Sequence, residues 1–220
     1  MNIEIIKKRV KHINLKVKPT GEVILTAPIW CSNEDIEYVL KKRAEWITQK
    51  VAYFQEHRDT TTKEYVSGEN FCYLGRNYRL KVIESSKESV KLQRDYLQLF
   101  VNDTCNLERK KSLIKEWYTQ QAKIYFQRAI EKYQPIVKRE IKVVRIKEMK
   151  TRWGSCNSVN GYINLNLKLI EKPLECIEYV VFHELVHLIH ANHSRHFYDY
   201  LTLYMPNWRE RKERLNSTTP

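Results

Sequence analysis

The sequence predicts an α+β fold: an antiparallel β-rich N-terminal half with one long helix, over residues 1–106, and a C-terminal half, over residues 107–220, built around a helix with an H-E-x-x-H motif. Three observations predict this fold. Short runs of alternating polar and apolar residues, separated by turn residues, fill most of the first half. The apolar period becomes helical after residue 107, and a strongly apolar segment precedes the paired histidines. A chain of 220 residues can also form these two halves as one continuous domain.

The N-terminal half begins with a predicted hairpin. Residues 3–28 contain two β-rich runs, and the Pro-Thr-Gly sequence at 19–21 supplies the turn between them. A helix over residues 33–57 follows. Ser32 or Asn33 can cap this helix, and apolar residues recur in it at helical spacing.

Strands and helices then alternate to the end of the chain. Residues 65–102 return to strand patterns, with turns expected at 75–77 and 94–95. A helical period over about 107–136 follows, and Pro135 marks its expected end. Four further segments complete the prediction: the strands IKVVRIKEM, Arg152–Cys156 and GYINLNLKLI, and an apolar helix from about Pro173 to Ala191.

The composition excludes several classes of protein. With 42% hydrophobic residues, the chain is too apolar for a disordered tail. No run of 18 apolar residues occurs, and the charged N-terminal segment does not fit a signal peptide, so we expect no membrane partner and a cytoplasmic location. The five cysteines are scattered without a C-x-x-C pair, which argues against a disulfide scaffold and a cysteine-built zinc finger.

The net charge of +13 is concentrated in one segment of the chain. Residues 107–152 carry 14 basic and five acidic side chains, whereas residues 153–220 carry seven of each. This segment is therefore the candidate face for nucleic-acid binding. Such a charge run is also typical of a solvated, lysine-rich helix, and no phosphate-binding loop or dinucleotide-binding glycine motif accompanies it.

The strongest chemical signal is a histidine cluster. Five of the seven histidines lie between residues 183 and 196, and His183, Glu184 and His187 form an H-E-x-x-H motif. Histidines four residues apart on a helix share one face, about 6 Å apart along the axis, so both can bind one metal ion. Glu184 lies on the adjacent flank, where it can take a proton from a water activated by the metal. The motif predicts one Zn²⁺ per chain; the alternative is a polar stripe on a core helix.

A catalytic zinc needs a third protein ligand and an open position. The Cα atom of His190 would lie about 10 Å from that of His183 on a straight helix, too far for easy convergence. His193 fits better, because a helix that ends near residues 191–192 lets the chain turn back. His196 is the second candidate. The histidine spacing matches the metzincin motif, except that His190 occupies the glycine position of that motif.

Several segments around the cluster resemble a known family. They are Arg152-Trp153-Gly154-Ser155-Cys156, Ile163-Asn164-Leu165-Asn166 with Leu169, Tyr179-Val180-Val181 and Asn192-His193-Ser194 with Phe197. Together with the H-E-x-x-H motif they are similar to the YgjP-like metallopeptidases, which are related to the SprT-like and WLM zinc peptidases. The resemblance is specific over residues 145–215. It implies a zincin-like C-terminal half and a bacterial cytosolic zinc peptidase, with His183, His187 and His193 as ligands and Glu184 as the catalytic carboxylate.

Two further groups of residues are candidates for contacts with a substrate. The segment Arg152, Trp153, Gly154 and Ser155 is expected on an edge strand beside the metal helix, where it can pair with an extended peptide. The alternative is that Trp153 belongs to the core and the next two residues form a bulge. Candidates for stabilising the oxyanion of the reaction are His196, Tyr198, Tyr200 and Arg152, and the sequence does not choose among them.

The sequence therefore predicts a zinc metallopeptidase that acts on protein or peptide substrates, with Glu184 as general base. A narrower hypothesis adds DNA-bound proteins as substrates, because of the basic segment and the SprT-like relationship. Two alternatives remain open: a non-catalytic nucleic-acid-binding module with a structural zinc, and a zinc hydrolase that acts on a small molecule. Replacing Glu184 with Gln would abolish turnover in a hydrolase and change nothing in a binding module.

Overall fold

The computed structural model describes residues 3–18, 20–56 and 63–217 and has a mixed α/β fold. These residues form three small sheets and six α-helices. The chain divides into two compact units, residues 1–62 and 63–220. The predicted boundary after residue 106 thus differs from the observed one, because the second sheet packs with the helices that follow it and belongs to the second unit.

The first unit contains a three-stranded sheet and two helices. Its elements are β1 (Ile3–Lys8), β2 (Asn14–Val17), β3 (Val23–Pro28), α1 (Asn33–Lys42) and α2 (Ala44–Glu56). β2 and β3 pair antiparallel, as the predicted hairpin requires, and Gly21 in their connection has a φ of +87°. Pro19 of the predicted turn lies outside the described residues. β1 pairs parallel with the other side of β3, so the sheet is mixed, whereas the sequence predicted an antiparallel one.

The single helix predicted over residues 33–57 is two helices. Ser32 caps α1, because its hydroxyl accepts the Asp35 amide and the Asp35 carboxylate accepts the Ser32 amide. The helical geometry ends at Arg43, which has a φ of −107° and a ψ of 7°. Its N–H is shared between the carbonyls of Val39 and Lys41, and this tightened turn separates the two helices. Residue 57 lies outside the described residues.

The second unit opens with a four-stranded sheet in the order β4-β5-β7-β6. β5 and β7 are parallel, and the outer strands pair antiparallel with them. The predicted turn at Arg94-Asp95 joins β6 to β7. The other hairpin turns at Leu74-Gly75, which begins one residue earlier than the predicted turn at 75–77 and shares Gly75 with it. The bounds are β4 Asn70–Tyr73, β5 Arg76–Glu84, β6 Ser89–Gln93 and β7 Tyr96–Val101.

The remaining elements of the second unit are four helices and a third sheet. They are α3 (Leu107–Val137), β8 (Val143–Lys147), β9 (Gly154–Asn157), β10 (Tyr162–Asn166), α4 (Leu174–Val186), α5 (Arg195–Tyr204) and α6 (Trp208–Asn216), with a 3₁₀ turn at Leu167–Glu171. β10 is central, parallel to β8 and antiparallel to β9, so β9 lies at an edge. α3 continues past Pro135 to Val137, and Lys138, which caps its C-terminal end, adopts the left-handed conformation.

α4 is the centre of the core in this unit. Nine of its residues are buried, so it is covered on all sides, by α3, α5, α6, β9 and β10. It ends at Val186, earlier than the predicted Ala191, because the amides of Leu188 and Ile189 bond three residues back and tighten the chain into turns. His183 and Glu184 thus lie in the last turn of a buried helix. In the described part of the chain, no helix combines the length and apolarity needed to cross a membrane.

Candidate metal centre

Three histidines converge at the C-terminal end of α4. His183 lies in the last turn of the helix, His187 is its C-terminal cap, and His193 lies in the connection to α5. One ring nitrogen from each lies within 4.8 Å of the others, and the Nε2 atoms of His183 and His193 are 3.0 Å apart. Among the described residues this is the one group of at least three His, Cys, Asp or Glu side chains that could hold a metal ion.

The turn that follows α4 orients His187. Its Nδ1 atom lies 3.1 Å from the carbonyl oxygen of His190. Because a carbonyl only accepts hydrogen bonds, Nδ1 carries the proton and Nε2 keeps its lone pair. His190 therefore contributes to the site through its backbone, at the position where the metzincin motif has glycine.

An aromatic side chain of α5 packs against all three histidines. Phe197 is fully buried, and its ring centroid lies 4.9 Å, 4.7 Å and 4.8 Å from those of His183, His187 and His193. Tyr198 stacks on His193 at 6.1 Å and on Trp208 of α6 at 5.3 Å. The third histidine lies in an exposed connection, and this packing is what holds its ring in place.

The donor set fits a zinc ion. Ligand nitrogens around a tetrahedral zinc lie about 3.3 Å apart, as Zn–N bonds of about 2.0–2.1 Å require, and the Nε2 atoms of His183 and His193 are close to this spacing. Burial and the neighbouring histidines lower the pKa of His183 to about 3, and burial lowers the pKa of His187. The two imidazoles are therefore neutral at physiological pH, the form that binds metals. The buried Nδ1 of His183 has no hydrogen-bond partner among the described residues.

The Glu184 side chain is enclosed between α4 and β9. It is 5% exposed, and its Oε2 atom has no hydrogen-bond partner within the described residues. Burial raises the pKa of Glu184 to about 8, and Arg152 opposes this rise. Gly154 lies directly against the carboxyl: a Cβ atom at this position would be 2.6 Å from Oε1 of Glu184 and 2.9 Å from its Cδ atom. The close approach of strand and carboxyl therefore needs glycine at 154.

The predicted substrate segment adopts three different environments. Arg152 is exposed, just before β9, and Trp153 packs against the core with the Lys172 ammonium 5.4 Å from its ring. Ser155 accepts a hydrogen bond from the Asn164 amide at 3.1 Å. The register from Gly154 onward pairs residue by residue with β10, so the alternative of a bulge does not hold, although Trp153 does join the core. In the described residues β9 pairs with no strand besides β10.

The candidates for oxyanion stabilisation differ in their distance from the cluster. Tyr198 is half-buried and stacked on His193. His196 is exposed and stacks on His190 at 6.5 Å, outside the three-histidine group. The Tyr200 hydroxyl donates to the carbonyl of Ile136 at 2.8 Å and is thus engaged outside the three-histidine group.

Sequence reasoning missed a buried amide that fixes the approach to β9. The Asn166 side chain donates to the carbonyls of Met149 and Arg152, both at 2.8 Å, and accepts the Met149 amide at 3.3 Å. It is 4% exposed. The available signal was a polar residue in an apolar strand, since a buried amide must find partners. Asn166 thereby holds the segment that leads to Gly154.

Convergent histidines beside a buried carboxyl, on a mixed α/β fold, define a metallopeptidase class of site. The chain belongs to the YgjP-like metallopeptidase family, whose domain model matches residues 11–218. The resemblance found in the sequence is thereby confirmed.

Two solved structures align with part of the chain. The metallopeptidase zymogen abylysin of Pyrococcus abyssi is 24% identical, with a TM-score of 0.38, and the match covers 41% of this chain and 90% of that one. The zymogen jannalysin of Methanocaldococcus jannaschii is 22% identical, with a TM-score of 0.37 and coverage of 41% and 92%. Likenesses at this level do not identify an activity. No curated protein matches the chain.

Proposed function

We propose that the protein is a zinc-dependent peptidase of the H-E-x-x-H zincin type. His183, His187 and His193 would hold one Zn²⁺, and Glu184 would act as the general base. The observation that carries the proposal is the convergence of three imidazoles at the end of a buried helix whose adjacent residue is an unpartnered, buried carboxyl. Membership of a metallopeptidase family supports it independently.

Each group has a separate task in the reaction. A zinc ion at such a site acidifies a water molecule and polarises a carbonyl oxygen. The positive charge of a bound zinc would lower the pKa of Glu184 from its metal-free value of about 8, so that the side chain is a carboxylate. This carboxylate accepts the proton of the attacking water as the new C–O bond forms, and returns it to the amine nitrogen as the C–N bond breaks. Its free Oε2 atom can take this proton because no described residue occupies it with a hydrogen bond. Burial of the carboxyl strengthens its electrostatic interactions with the reacting groups.

The edge strand β9 offers a place for an extended substrate. Its outer edge has unpaired backbone groups within the described residues, and such groups can pair with many peptide sequences. Gly154 brings this strand against Glu184, so a peptide on the strand would lie near the base. Of the candidate oxyanion donors, Tyr198 is better placed than His196, because it contacts a proposed ligand directly.

A structural zinc in a nucleic-acid-binding module fits the site less well. Structural zinc sites are closed by four protein ligands. The group in the described residues contains three, and the nearby carboxyl is held apart by its packing on β9. Hydrolysis by a catalytic zinc needs three protein ligands, which leave the fourth position open for water, and a carboxyl free to accept the proton of that water.

Metal analysis of the purified protein tests the proposal. We expect one zinc per chain in the wild type and loss of zinc in His193→Ala. His196→Ala is the matched control, because it removes another exposed histidine three residues away, and it should retain zinc. Glu184→Gln should retain zinc and lose peptide hydrolysis. Absence of metal after zinc is supplied would refute the metal site, and full activity of Glu184→Gln would refute the role of the base.

A further inference from the structure

The positive charge of the basic segment is unevenly neutralised. On α3, acidic partners pair with several cations: Arg109 with Glu88 at 2.6 Å, Lys115 with Glu148 at 2.9 Å, and Lys132 with Glu178 at 2.7 Å. These pairs reduce the charge that the helix presents to a polyanion. Most cations of the basic segment that lack a salt bridge with a described residue lie after the end of α3.

Residues 138–152 form a cationic strip that follows α3. The segment contains only two acidic residues, and Glu148 is already paired with Lys115. Its cations are all exposed, and none forms a salt bridge with a described residue. They are Lys138, Arg139, Lys142, Arg145, Lys147, Lys150 and Arg152.

The strip meets the candidate active site at two places. Near its beginning, Arg139 and Lys142 line a cavity of about 400 Å³ that His187 also lines. At its end, Arg152 lies two residues before Gly154, the first residue of β9, and its positive charge lowers the pKa of the Glu184 carboxyl. Residues at the two ends of the strip, and not those of β8 between them, therefore lie beside a proposed metal ligand and near the Glu184 carboxyl, since β10 separates β8 from β9.

The cavity has the character of a side-chain pocket. Leu188 and Ile189 contribute apolar lining, and Ser158 contributes a hydroxyl. Glu140 is the one acidic side chain of the lining, so with Arg139 and Lys142 the lining keeps a net positive charge. A carboxylate side chain complements this lining, whereas a lysine or arginine would meet like charge.

We propose that the cationic strip binds an acidic segment of the polypeptide substrate, and that the cavity beside His187 takes an Asp or Glu side chain close to the scissile bond. This inference rests on the proposed peptidase function and adds its substrate class. Arg139 and Lys142 are the specificity-determining residues of the cavity.

The position of the strip favours a polypeptide over a nucleic acid. A duplex is bound through its phosphates on an open surface and needs no adjoining pocket. Here the strip joins a pocket that shares a wall with a metal ligand, and it leads to an unpaired strand edge suited to peptide backbone. Both features belong to peptide binding.

Matched fluorogenic peptides test the inference on the full-length, zinc-loaded protein. Two sets share a neutral cleavage core and carry either Glu or Lys at the positions on both sides of it. We expect kcat/KM for the Glu set to exceed that for the Lys set by about ten-fold at low salt, the size expected for two partly screened charge pairs. The preference should shrink towards 1 M salt, where the Debye length falls to about 3 Å. The double variant Arg139→Glu with Lys142→Glu should invert it, whereas Lys123→Glu, an exposed lysine of α3, should leave it unchanged.

A binding measurement separates this inference from the proposed function. Fluorescence anisotropy of the same peptides on Glu184→Gln reports docking without turnover. Tighter binding of the Glu set, reversed by the double variant, would support binding of acidic segments by the strip, whether or not the wild type cleaves the peptides. Absence of cleavage by the wild type would refute only the proposed peptidase function. Cleavage and binding without charge preference overturn the inference and leave the peptidase standing. Preferential binding of a labelled DNA duplex at 0.15 M salt, lost in the double variant, would replace the acidic polypeptide by a nucleic acid.

Discussion

A methyl group at residue 154 should disable the proposed base, Glu184, without removing the proposed zinc. In Gly154→Ala the new Cβ atom would lie 2.6 Å from Oε1, 2.7 Å from Cγ and 2.9 Å from Cδ of Glu184. Carbon atoms in contact prefer about 3.5–4.0 Å, so the carboxyl must move by about 1 Å. The φ of Gly154 is not positive, so alanine adds no backbone strain there. The perturbation is therefore steric and directed at one side chain.

The expected loss follows from this displacement. A 1 Å misplacement of a catalytic group costs about a hundred-fold in rate, so kcat should fall by this factor. KM should change less, because the substrate edge of β9 keeps its backbone. Overpacking should also lower the free energy of unfolding by about 1–3 kcal/mol. Zinc content, kcat with a fluorogenic peptide, and urea unfolding measure the three effects.

A double variant identifies the cause. In a Glu184→Ala background the overlapping atoms are absent, so adding Gly154→Ala should cost almost no stability, and the two substitutions should be strongly non-additive. Full activity of Gly154→Ala, or an equal loss of stability in both backgrounds, would contradict the packing of Gly154 on Glu184.

Two further predictions concern the pH dependence of stability and the support of the ligands. In the metal-free protein, Glu184, with a pKa of about 8 against its ordinary 4.5, stabilises the fold below pH 4.5 and loses this contribution as the pH rises to 8. Glu184→Gln has no carboxyl to ionise, so its free energy of unfolding should rise relative to that of the wild type between pH 5 and pH 8, by about 1.4 kcal/mol per pH unit. Urea unfolding with a chelator present measures this difference. A difference that stays constant with pH would contradict the raised pKa of Glu184. Phe197 is fully buried against the three histidines, so Phe197→Ala should lower the free energy of unfolding by about 3–5 kcal/mol and weaken zinc affinity. Phe197→Leu should be intermediate in both. Unchanged zinc affinity in Phe197→Ala would show that Phe197 does not position the histidines.

Local patterns in the sequence accounted for most secondary structure and for the composition of the site. The spacing of His183 and His187 places both at one end of a helix, and Ser32 caps α1 as its residue type suggests. The interruption at Arg43 was not predictable, because no proline or glycine marks it and the apolar period continues across it. The turns after Val186 were also missed, since apolar residues continue beyond the helix end.

Features that depend on distant parts of the chain were beyond the sequence. The parallel pairing of β1 with β3 leaves no local pattern, because alternation looks the same in either direction. The contact of Gly154 with Glu184 joins two motifs whose separate spacings say nothing about their distance in the fold. The packing of Phe197 on three histidines has the same origin, since an aromatic residue at helical spacing predicts only burial.

The stack of His193, Tyr198 and Trp208 has a consequence for the biosynthesis of the protein. Domains fold while the chain is made, from the N-terminal side onward. Trp208 lies later in the chain than every proposed ligand and than Glu184. His193 therefore gains its stacked support only after α6 has been translated and has docked on α4. A nascent chain with the H-E-x-x-H helix already folded would still lack a fixed third ligand of the proposed site. Assembly of this site would therefore be delayed until synthesis has passed the proposed catalytic residues.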